Sequence, residues 1–235
     1  MNPLFAEFIG TAMLVLLGNG VVANVILQKT KGFNSGLVVI ALGWAMAVFV
    51  AVFCTAAASG GHLNPAVTIA LAVAHKFAWA QVPGYIFAQM AGGMAGAFLV
   101  WVVYYKHFSE TSCQDSKLAV FCTGPAIRST YGNLTSEAIA TFVLVFAVLN
   151  MAVPNVGLGA MNALPVALLV LGIGVSLGGT TGYAMSPARD LGPRIMHAIL
   201  PIPGKRDSDW NYAWVPVVGP ILGAVSAALL FSITS

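Results

Sequence analysis

Long apolar stretches separated by short polar segments make up most of the chain. Six of the stretches are long enough to cross a membrane as helices, which takes about 20 largely apolar residues. We predict these spans at 4–27, 36–58, 80–105, 134–153, 162–181 and 211–233. Polar segments separate them at 28–35, 106–133, 154–159 and 204–209. The helical interpretation suits lipid, because a spanning segment must satisfy its backbone hydrogen bonds internally.

Two further apolar segments, 64–74 and 186–200, are too short to span and are typical of re-entrant elements. Each begins with a helix N-cap residue followed by proline at the first helical position, Asn64-Pro65 in one and Ser186-Pro187 in the other. Glycines precede both starts and suit irregular backbone there: Gly60, Gly61, Gly178, Gly179 and Gly182. The pattern predicts two half-helices within the membrane.

The two halves of the chain contain matching sequence motifs in the same order. Glu7-Phe8-Ile9-Gly10-Thr11 matches Glu137-Ala138-Ile139-Ala140-Thr141, and Asn64-Pro65-Ala66 matches Ser186-Pro187-Ala188. We therefore predict one transmembrane domain over 1–235, with repeats at about 1–106 and 134–235 joined by a loop at 107–133. Each repeat holds three spans, so the second copy enters the membrane upside down. Inverted repeats with broken helices place a site near the bilayer midplane.

Glu7 and Glu137 lie inside predicted spans. Placing a carboxylate in the membrane is energetically unfavourable, so such a group usually faces a polar interior. In one interpretation each carboxylate braces the exposed backbone of a half-helix loop. The alternative is a proton-relay acid or a helix-end residue near the membrane surface. Their equivalent positions in the two repeats favour bracing.

Composition excludes several other classes. Hydrophobic residues make up 59% of the chain and charged residues 7%, whereas a soluble domain carries about 25% charged residues. The net charge of +3 and the lack of a basic run give no indication of nucleic acid. Neither metal-site spacing nor a cofactor motif occurs, so we expect no metal and no cofactor. Cys113 and Cys122 share one polar loop, either as two free thiols or as a disulfide.

Residues Ser59–Thr68 and Gly182–Arg194 resemble the two signature loops of the aquaporin superfamily, also called the major intrinsic proteins. With the six spans and the repeat, the resemblance covers essentially the whole chain. It implies an all-α membrane protein with six transmembrane helices and two re-entrant half-helices around a central pore. It also implies a homotetramer with one pore per subunit, in the plasma membrane, with both termini cytoplasmic.

Several positions resemble the glycerol-facilitator branch of that superfamily, of bacterial type, rather than its water-only branch. Asp190 follows the pore arginine, Arg194 lies four residues further on, and Pro216-Val217 opens the sixth span. The resemblance places the narrowest point of the pore at Trp44, Gly174, Tyr183 and Arg189. It implies a passive channel for glycerol, similar polyols and water that excludes ions and protons, and no enzyme. Dihydroxyacetone, hydrogen peroxide, urea and protonated lactic acid are further candidate solutes.

A polyol has a carbon face and a hydroxyl face, so its pore needs an apolar wall and a polar wall. Trp44 and Tyr183 would supply the aromatic wall, and the Arg189 guanidinium would donate to hydroxyl oxygens. The missing side chain of Gly174 would widen the passage. Exposed backbone before each half-helix would supply acceptors, which membrane depth tolerates only along a cavity: Gly60, Gly61, His62, Leu63, Ala184 and Met185.

Three points stay open at this stage. His62 is expected to line the inner mouth as a hydrogen-bonding residue, or alternatively to act as a pH-sensing gate. Asp190 and Arg194, spaced i and i+4, would form a local ion pair on one helix. Ser186 stands where the family usually has asparagine, which affects selectivity more than fold.

Charge distribution disagrees with the orientation that the resemblance implies. Lysines and arginines favour cytoplasmic loops, yet a cytoplasmic N-terminus leaves only Lys76 clearly inside. It puts most basic residues outside: Lys29, Lys31, Lys106, Lys117, Arg128, Lys205 and Arg206. We follow the family orientation.

Two other classes compete with a channel. An intramembrane hydrolase would use Ser186 and a histidine, but neither a Gly-x-Ser-x-Gly elbow nor an HExxH motif occurs, and a proline directly after the serine suits a helix cap. A coupled secondary transporter is compatible with the repeat alone, and a dependence on an ion gradient would distinguish it.

Overall fold

The computed structural model describes residues 1–151 and 162–234, and helices are its regular elements throughout those ranges. They are α1 (Pro3–Ile26), α2 (Leu37–Ser59), α3 (Pro65–Val73), α4 (Val82–Glu110), α5 (Gln114–Ala119), α6 (Thr130–Asn150), α7 (Leu164–Thr181), α8 (Pro187–Ile199) and α9 (Val215–Thr234), with a 3-10 turn at Trp79–Gln81 before α4. The predicted polar segment 154–159 and the end of the fourth predicted span, 152–153, lie outside the described residues.

Six of these helices are long and apolar enough to cross a membrane: α1, α2, α4, α6, α7 and α9. Each overlaps one of the six predicted spans, with ends that differ by up to five residues. The two short helices α3 and α8 begin directly after Asn64 and Ser186, as the proline and N-cap signals predict. The predicted all-α class, with six spans and two half-helices, is confirmed.

The linker between the repeats is more ordered than the predicted loop 107–133. Helix α4 continues to Glu110, and α6 begins at Thr130 because Ser129 accepts a hydrogen bond from the backbone N–H of Gly132 as its N-cap. The short helix α5 lies between them. Cys113 is exposed and Cys122 is buried, and both thiols are free.

Glycines let the spans of each repeat approach closely. A Cβ at Gly92 on α4 would lie 2.3 Å from the Phe8 carbonyl of α1, and a Cβ at Gly223 on α9 would lie 2.0 Å from the Ala138 carbonyl of α6. Phe8 and Ala138 are equivalent in the sequence repeat, each following its buried glutamate. The same close packing therefore holds the first and third spans together in both halves.

Each half-helix packs mainly against the third span of the other repeat. Helix α3 lies against α9, and α8 lies against α4. This exchange interlocks the halves and brings the N-termini of α3 and α8 to the middle of the molecule.

Candidate functional site

The two half-helices start with nearly identical backbone geometry. Asn64 has φ −155° and ψ 120°, and Ser186 has φ −155° and ψ 123°. The Asn64 Oδ1 accepts from the Ala66 N–H at 2.9 Å, and the Ser186 Oγ accepts from the Arg189 N–H at 3.3 Å. Both residues therefore cap a helix whose first position is a proline, Pro65 or Pro187, which has no N–H to satisfy. Ala66 and Ala188 follow and are fully buried.

A second bond of Asn64 joins the two starts. Its Nδ2 donates to the Met185 carbonyl at 2.7 Å. Ser186 has a shorter side chain without a second polar atom, and it does not make the matching bond to the Leu63 carbonyl. The two half-helix starts are thus joined by one side-chain hydrogen bond, where a symmetric pair of asparagines would place two.

The segments before the half-helices follow irregular backbone. Left-handed φ angles occur at Gly60 (86°), Gly61 (64°) and Leu63 (51°) in the first half, and at Gly182 (83°), Tyr183 (38°) and Met185 (49°) in the second. Leucine, tyrosine and methionine rarely adopt this conformation, which costs of order 1–3 kcal/mol each. Surrounding contacts must hold these residues in place.

Glu7 on α1 supplies such contacts to the first segment. It is fully buried, and its carboxylate accepts from the backbone N–H groups of His62 at 3.0 Å and Leu63 at 2.7 Å. The Ser59 hydroxyl donates to it at 2.6 Å and the Gln89 amide at 2.7 Å. The two backbone N–H groups depend on this carboxylate, whereas the Gln89 amide also donates to the Thr68 hydroxyl at 2.9 Å and the Ser59 hydroxyl also reaches the Thr55 carbonyl at 3.4 Å.

Glu137 on α6 makes the equivalent contacts in the second segment. It is also fully buried and accepts from the backbone N–H groups of Ala184 and Met185, both at 3.0 Å, and from the Thr181 hydroxyl at 2.7 Å. The two glutamates thus bond to matching positions of the two repeats. Charge-assisted bonds of this kind are roughly twice as strong as neutral ones.

Two adjoining cavities run along these segments and share Asn64 and Ser186 in their walls. The larger, of about 180 Å³, is lined by Gly60, Gly61, His62 and Leu63 together with aliphatic side chains of α1, α2, α6 and α7. The smaller, of about 70 Å³, is lined by Trp44, Tyr183, Ala184, Met185 and Arg189. The half-helix starts therefore lie where the two cavities adjoin.

His62 lies in the wall of the larger cavity. Its Nδ1 is 3.2 Å from the Thr68 hydroxyl. Its ring packs edge-on against Phe77, with centroids 4.7 Å apart, and tilted against Tyr85 at 5.0 Å. The Tyr85 hydroxyl in turn donates to the Ser59 carbonyl at 3.0 Å. These contacts fix the imidazole as part of the wall.

Three of the four residues predicted for the narrowest point, Trp44, Tyr183 and Arg189, line the smaller cavity. The Arg189 Cζ lies 4.3 Å from the centre of the Trp44 ring, so the guanidinium stacks on the indole. Its Nη1 is buried and has no hydrogen-bond partner among the described residues. Arg189 thus brings a positively charged group to the wall of the smaller cavity.

Gly174 adjoins this group from behind the Tyr183 ring. A Cβ at Gly174 would lie 3.0 Å from Tyr183 Cζ, and one at Gly178 would lie 2.5 Å from Tyr183 Cδ1. The two glycines are one helical turn apart on α7 and form the flat surface on which the ring rests. The missing side chain of Gly174 therefore makes room for the tyrosine, which itself borders the passage. The prediction of irregular backbone at Gly178 and Gly179 is wrong, because both lie within α7, and the left-handed backbone begins at Gly182. The role of Gly178 depends on where the Tyr183 ring lies.

The Asp190–Arg194 ion pair does more than link one helix turn. Arg194 is fully buried and donates to Asp190 at 2.8 Å and to the carbonyls of Ser208 at 2.8 Å and Thr123 at 2.9 Å. Asp190 accepts from both the N–H and the hydroxyl of Thr123 at 2.7 Å. The pair thus fastens two loops to α8 directly beside Arg189.

Comparison with known proteins connects this arrangement to a family. The sequence model of the family described as major intrinsic protein matches residues 1–231. The chain belongs to the major intrinsic protein family. The resemblance of the two signature loops is thereby confirmed, and the family's members are channels, not enzymes.

Individual major intrinsic proteins are similar over nearly the whole chain. A "Probable glycerol uptake facilitator protein" of Thermotoga maritima is 54% identical over 232 residues, which are 99% of each chain. A "Glycerol uptake facilitator protein" of Streptococcus pneumoniae is 54% identical over 233 residues, again 99% of each chain. The X-ray structure of the aquaglyceroporin from Plasmodium falciparum superposes with a TM-score of 0.86 at 33% identity, covering 98% of this chain and 94% of that one.

Proposed function

We propose that this protein is a passive channel for glycerol and comparable small neutral solutes, together with water, and that it excludes ions and protons. The observation that carries the proposal is the meeting of two capped half-helices at Asn64 and Ser186, where two cavities join. The similarity to glycerol uptake facilitators supports glycerol as the solute.

Ion exclusion follows from the charges at this junction. Each half-helix directs an N-terminus equivalent to about half a positive charge toward the middle of the pore. Arg189 adds a full positive charge at one side. Cations and protons are opposed by this field, and anions are opposed by the cost of leaving water for a largely aliphatic wall. Neutral solutes are neither repelled by this field nor subject to the cost of dehydrating a charge.

Passage of a polyol uses the three side chains at the smaller cavity. The guanidinium of Arg189 donates to a solute hydroxyl, while Trp44 and the Tyr183 ring face its carbon atoms. The guanidinium stacks on Trp44, so the polar and the apolar wall of the cavity meet there.

Assembly and orientation form part of the same proposal. The chain is taken as one channel domain of a homotetramer in the plasma membrane, with both termini cytoplasmic. Basic residues that this orientation places outside are engaged in fixing the outer loops. Lys205 donates to the carbonyls of His197, Ala198 and Leu200 at 2.5–2.8 Å, Lys117 bonds to the Pro203 carbonyl, and Arg206 pairs with Asp115. Because these lysines and arginines stabilise loops, their number is a weaker indication of which side of the membrane the loops face.

The experiment that tests the proposal is stopped-flow light scattering of proteoliposomes in a glycerol gradient. A channel gives non-saturating glycerol flux well above that of empty liposomes, with and without ionophores that collapse ion gradients. Flux that saturates and disappears with the ion gradient would mean a coupled transporter. A hydrolase would need a free nucleophile at Ser186, whose oxygen already accepts the cap bond from Arg189.

A further inference from the structure

A polar pocket of about 130 Å³ lies between the start of α6 and the segment that leads into α9. Its described lining residues all differ from those of the two cavities at the half-helix starts. Asn133 and Tyr212 are buried and form the deep part of the pocket, and exposed residues lie around it: Arg128, Thr130, Asn211 and Trp214. The pocket is therefore separate from the proposed pore.

The side-chain amide of Asn133 is a buried polar group without a partner in the described part of the protein. The backbone N–H of Asn133 donates to the Ser129 carbonyl, whereas its amide bonds to none of the described residues. The residue is only 7% exposed, and it lines this pocket and an adjoining one beside α7. Burying an amide without a partner is unfavourable. A molecule in the pocket with both a donor and an acceptor would satisfy it.

The charges at the rim favour a neutral molecule over an anion. Arg128 alone would attract an anion, but its guanidinium is paired with the Asp209 carboxylate. A guanidinium only donates hydrogen bonds and a carboxylate only accepts them. A hydroxyl group does both, so a molecule with several hydroxyls can bond to each member of this pair. The exposed amide of Asn211 adds one more donor and acceptor at the rim.

The indole of Trp214 gives the pocket an apolar side. Trp214 is 42% exposed and lines the pocket beside the polar residues. An aromatic ring offers its face to carbon atoms while neighbouring polar groups bond to oxygen atoms. Amides, an ion pair and an aromatic ring together match a molecule with hydroxyls along one edge and carbon atoms along the other.

We propose that this pocket is a binding site for one small neutral polyol, outside the proposed conducting path. The amides of Asn133 and Asn211 bond to its hydroxyls, and Trp214 packs against its carbon atoms. The bound polyol connects the start of α6 with the segment before α9. Binding here depends on the folded protein and not on conduction, so flux measurements in liposomes test the proposed function separately.

The test is fluorine NMR of the whole protein in detergent, with its five tryptophans replaced by fluorotryptophan and with glycerol as the probe. The Trp214 resonance is identified by its absence in Trp214→Phe. We expect glycerol to shift this resonance along a saturating curve. Trp210 is the internal reference, because it is 49% exposed in the same segment and does not line the pocket. Its resonance should show no saturating shift.

Asn133→Leu removes the buried amide and keeps the side chain at a similar size. We expect the glycerol concentration at half-saturation to rise about three- to tenfold, the effect of losing one hydrogen bond. Asn150→Leu is the matched control, since Asn150 lies at the other end of α6 and does not line the pocket. It should leave half-saturation at the wild-type concentration. Asn211→Leu changes an exposed residue of the rim and should weaken binding even if Asn133→Leu does not fold.

A Trp214 shift that stays proportional to glycerol concentration, like that of Trp210, would overturn the inference as a general effect of the solvent. Equal half-saturation in wild type and in both pocket variants would overturn it as well. Titration with inorganic phosphate tests the other ligand chemistry. A saturating shift with phosphate and none with glycerol would mean that the pocket binds anions and would also refute the proposal.

Discussion

The side chain of Asn64 donates to the main-chain carbonyl of Met185 at 2.7 Å and so ties together residues 121 positions apart in the chain. The bond couples the start of one half-helix to the irregular segment that precedes the other. Glu7 accepts from the Leu63 N–H, and Glu137 accepts from the Met185 N–H. These two backbone donors and the Met185 carbonyl therefore all have hydrogen-bond partners within the protein. The path can then be narrow and still keep its backbone fixed.

Removing the charge of Glu137 should loosen the second segment. Its carboxylate accepts from three donors, and Glu137→Gln puts an NH₂ group against at least one of them. We expect a loss of about 2–4 kcal/mol of stability and a lower glycerol flux. The thermal unfolding midpoint in detergent and stopped-flow flux measure both effects.

Glu110→Gln is the control for Glu137→Gln, because Glu110 lies on the surface and pairs with Lys29. It should change neither the midpoint nor the flux. A Glu137→Gln variant as stable and conductive as wild type would contradict the proposal that the Glu137 carboxylate stabilises the segment before α8. Wild-type liposomes that conduct protons, and lose this conductance in the variant, would instead favour the proton-relay alternative.

Adding one methyl group behind the Tyr183 ring should narrow the path. A Cβ at Gly178 would lie 2.5 Å from Tyr183 Cδ1, so Gly178→Ala pushes the ring toward the cavity. Overpacking of this kind costs about 1–3 kcal/mol, and we expect glycerol permeability to fall about tenfold while water permeability falls less. Gly179→Ala is the control, since nothing lies within 4 Å of its Cβ position. Equal glycerol permeability in the two variants would exclude the ring as a wall of the passage.

Local sequence signals were sufficient for most of the fold. The six spans depend on hydropathy, and the half-helix starts depend on a cap residue followed by proline, so both are readable without knowing any long-range contact. The repeat then identified Glu7 and Glu137 as equivalent positions, and the structure places both against the predicted loops. Hydropathy does not predict helix α5 or the start of α6 at Thr130, because the residues there are polar; the signal for α6 is Ser129, which caps it.

Contacts between distant segments could not be predicted in this way. The i, i+4 spacing of Asp190 and Arg194 indicates a local pair, but nothing in it points to the carbonyls of Thr123 and Ser208. The ring-supporting role of Gly178 depends on the conformation of Tyr183, whose φ of 38° no propensity suggests. The stacking of Arg189 on Trp44 likewise requires the packing of α8 against the rest of the molecule.

Replacing the buried guanidinium of Arg194 by the ammonium group of lysine should release the two loops that Arg194 holds against α8. Arg194→Lys keeps the charge but cannot donate at once to Asp190 and to the carbonyls of Thr123 and Ser208. We expect a stability loss of about 3–5 kcal/mol, typical of a disrupted buried pair, and a lower thermal midpoint. Lys29→Met removes an exposed pair instead and should leave the midpoint unchanged. A midpoint of Arg194→Lys equal to that of wild type would mean that the loops are held by other contacts.

Replacing Ser186 by asparagine should add a second side-chain hydrogen bond between the two half-helix starts. The backbone of Ser186 matches that of Asn64 within 3° in φ and ψ, so the longer amide can cap α8 and also reach the Leu63 carbonyl. We therefore expect Ser186→Asn to fold with a higher thermal midpoint and to slow glycerol and bulkier solutes more than water, because the amide occupies space at the junction of the two cavities.

Proton exclusion should be the same in wild type and in Ser186→Asn. The barrier in our account comes from the N-terminal ends of α3 and α8 and from the charge of Arg189, and the substitution leaves all three in place. A pH-sensitive dye enclosed in proteoliposomes measures the leak after an external pH jump, with empty liposomes as the reference. Both proteins should match that reference while differing in glycerol flux. Wild type that leaks protons, with a leak that Ser186→Asn seals, would mean that the serine hydroxyl relays protons at the junction and that the half-helix field does not suffice.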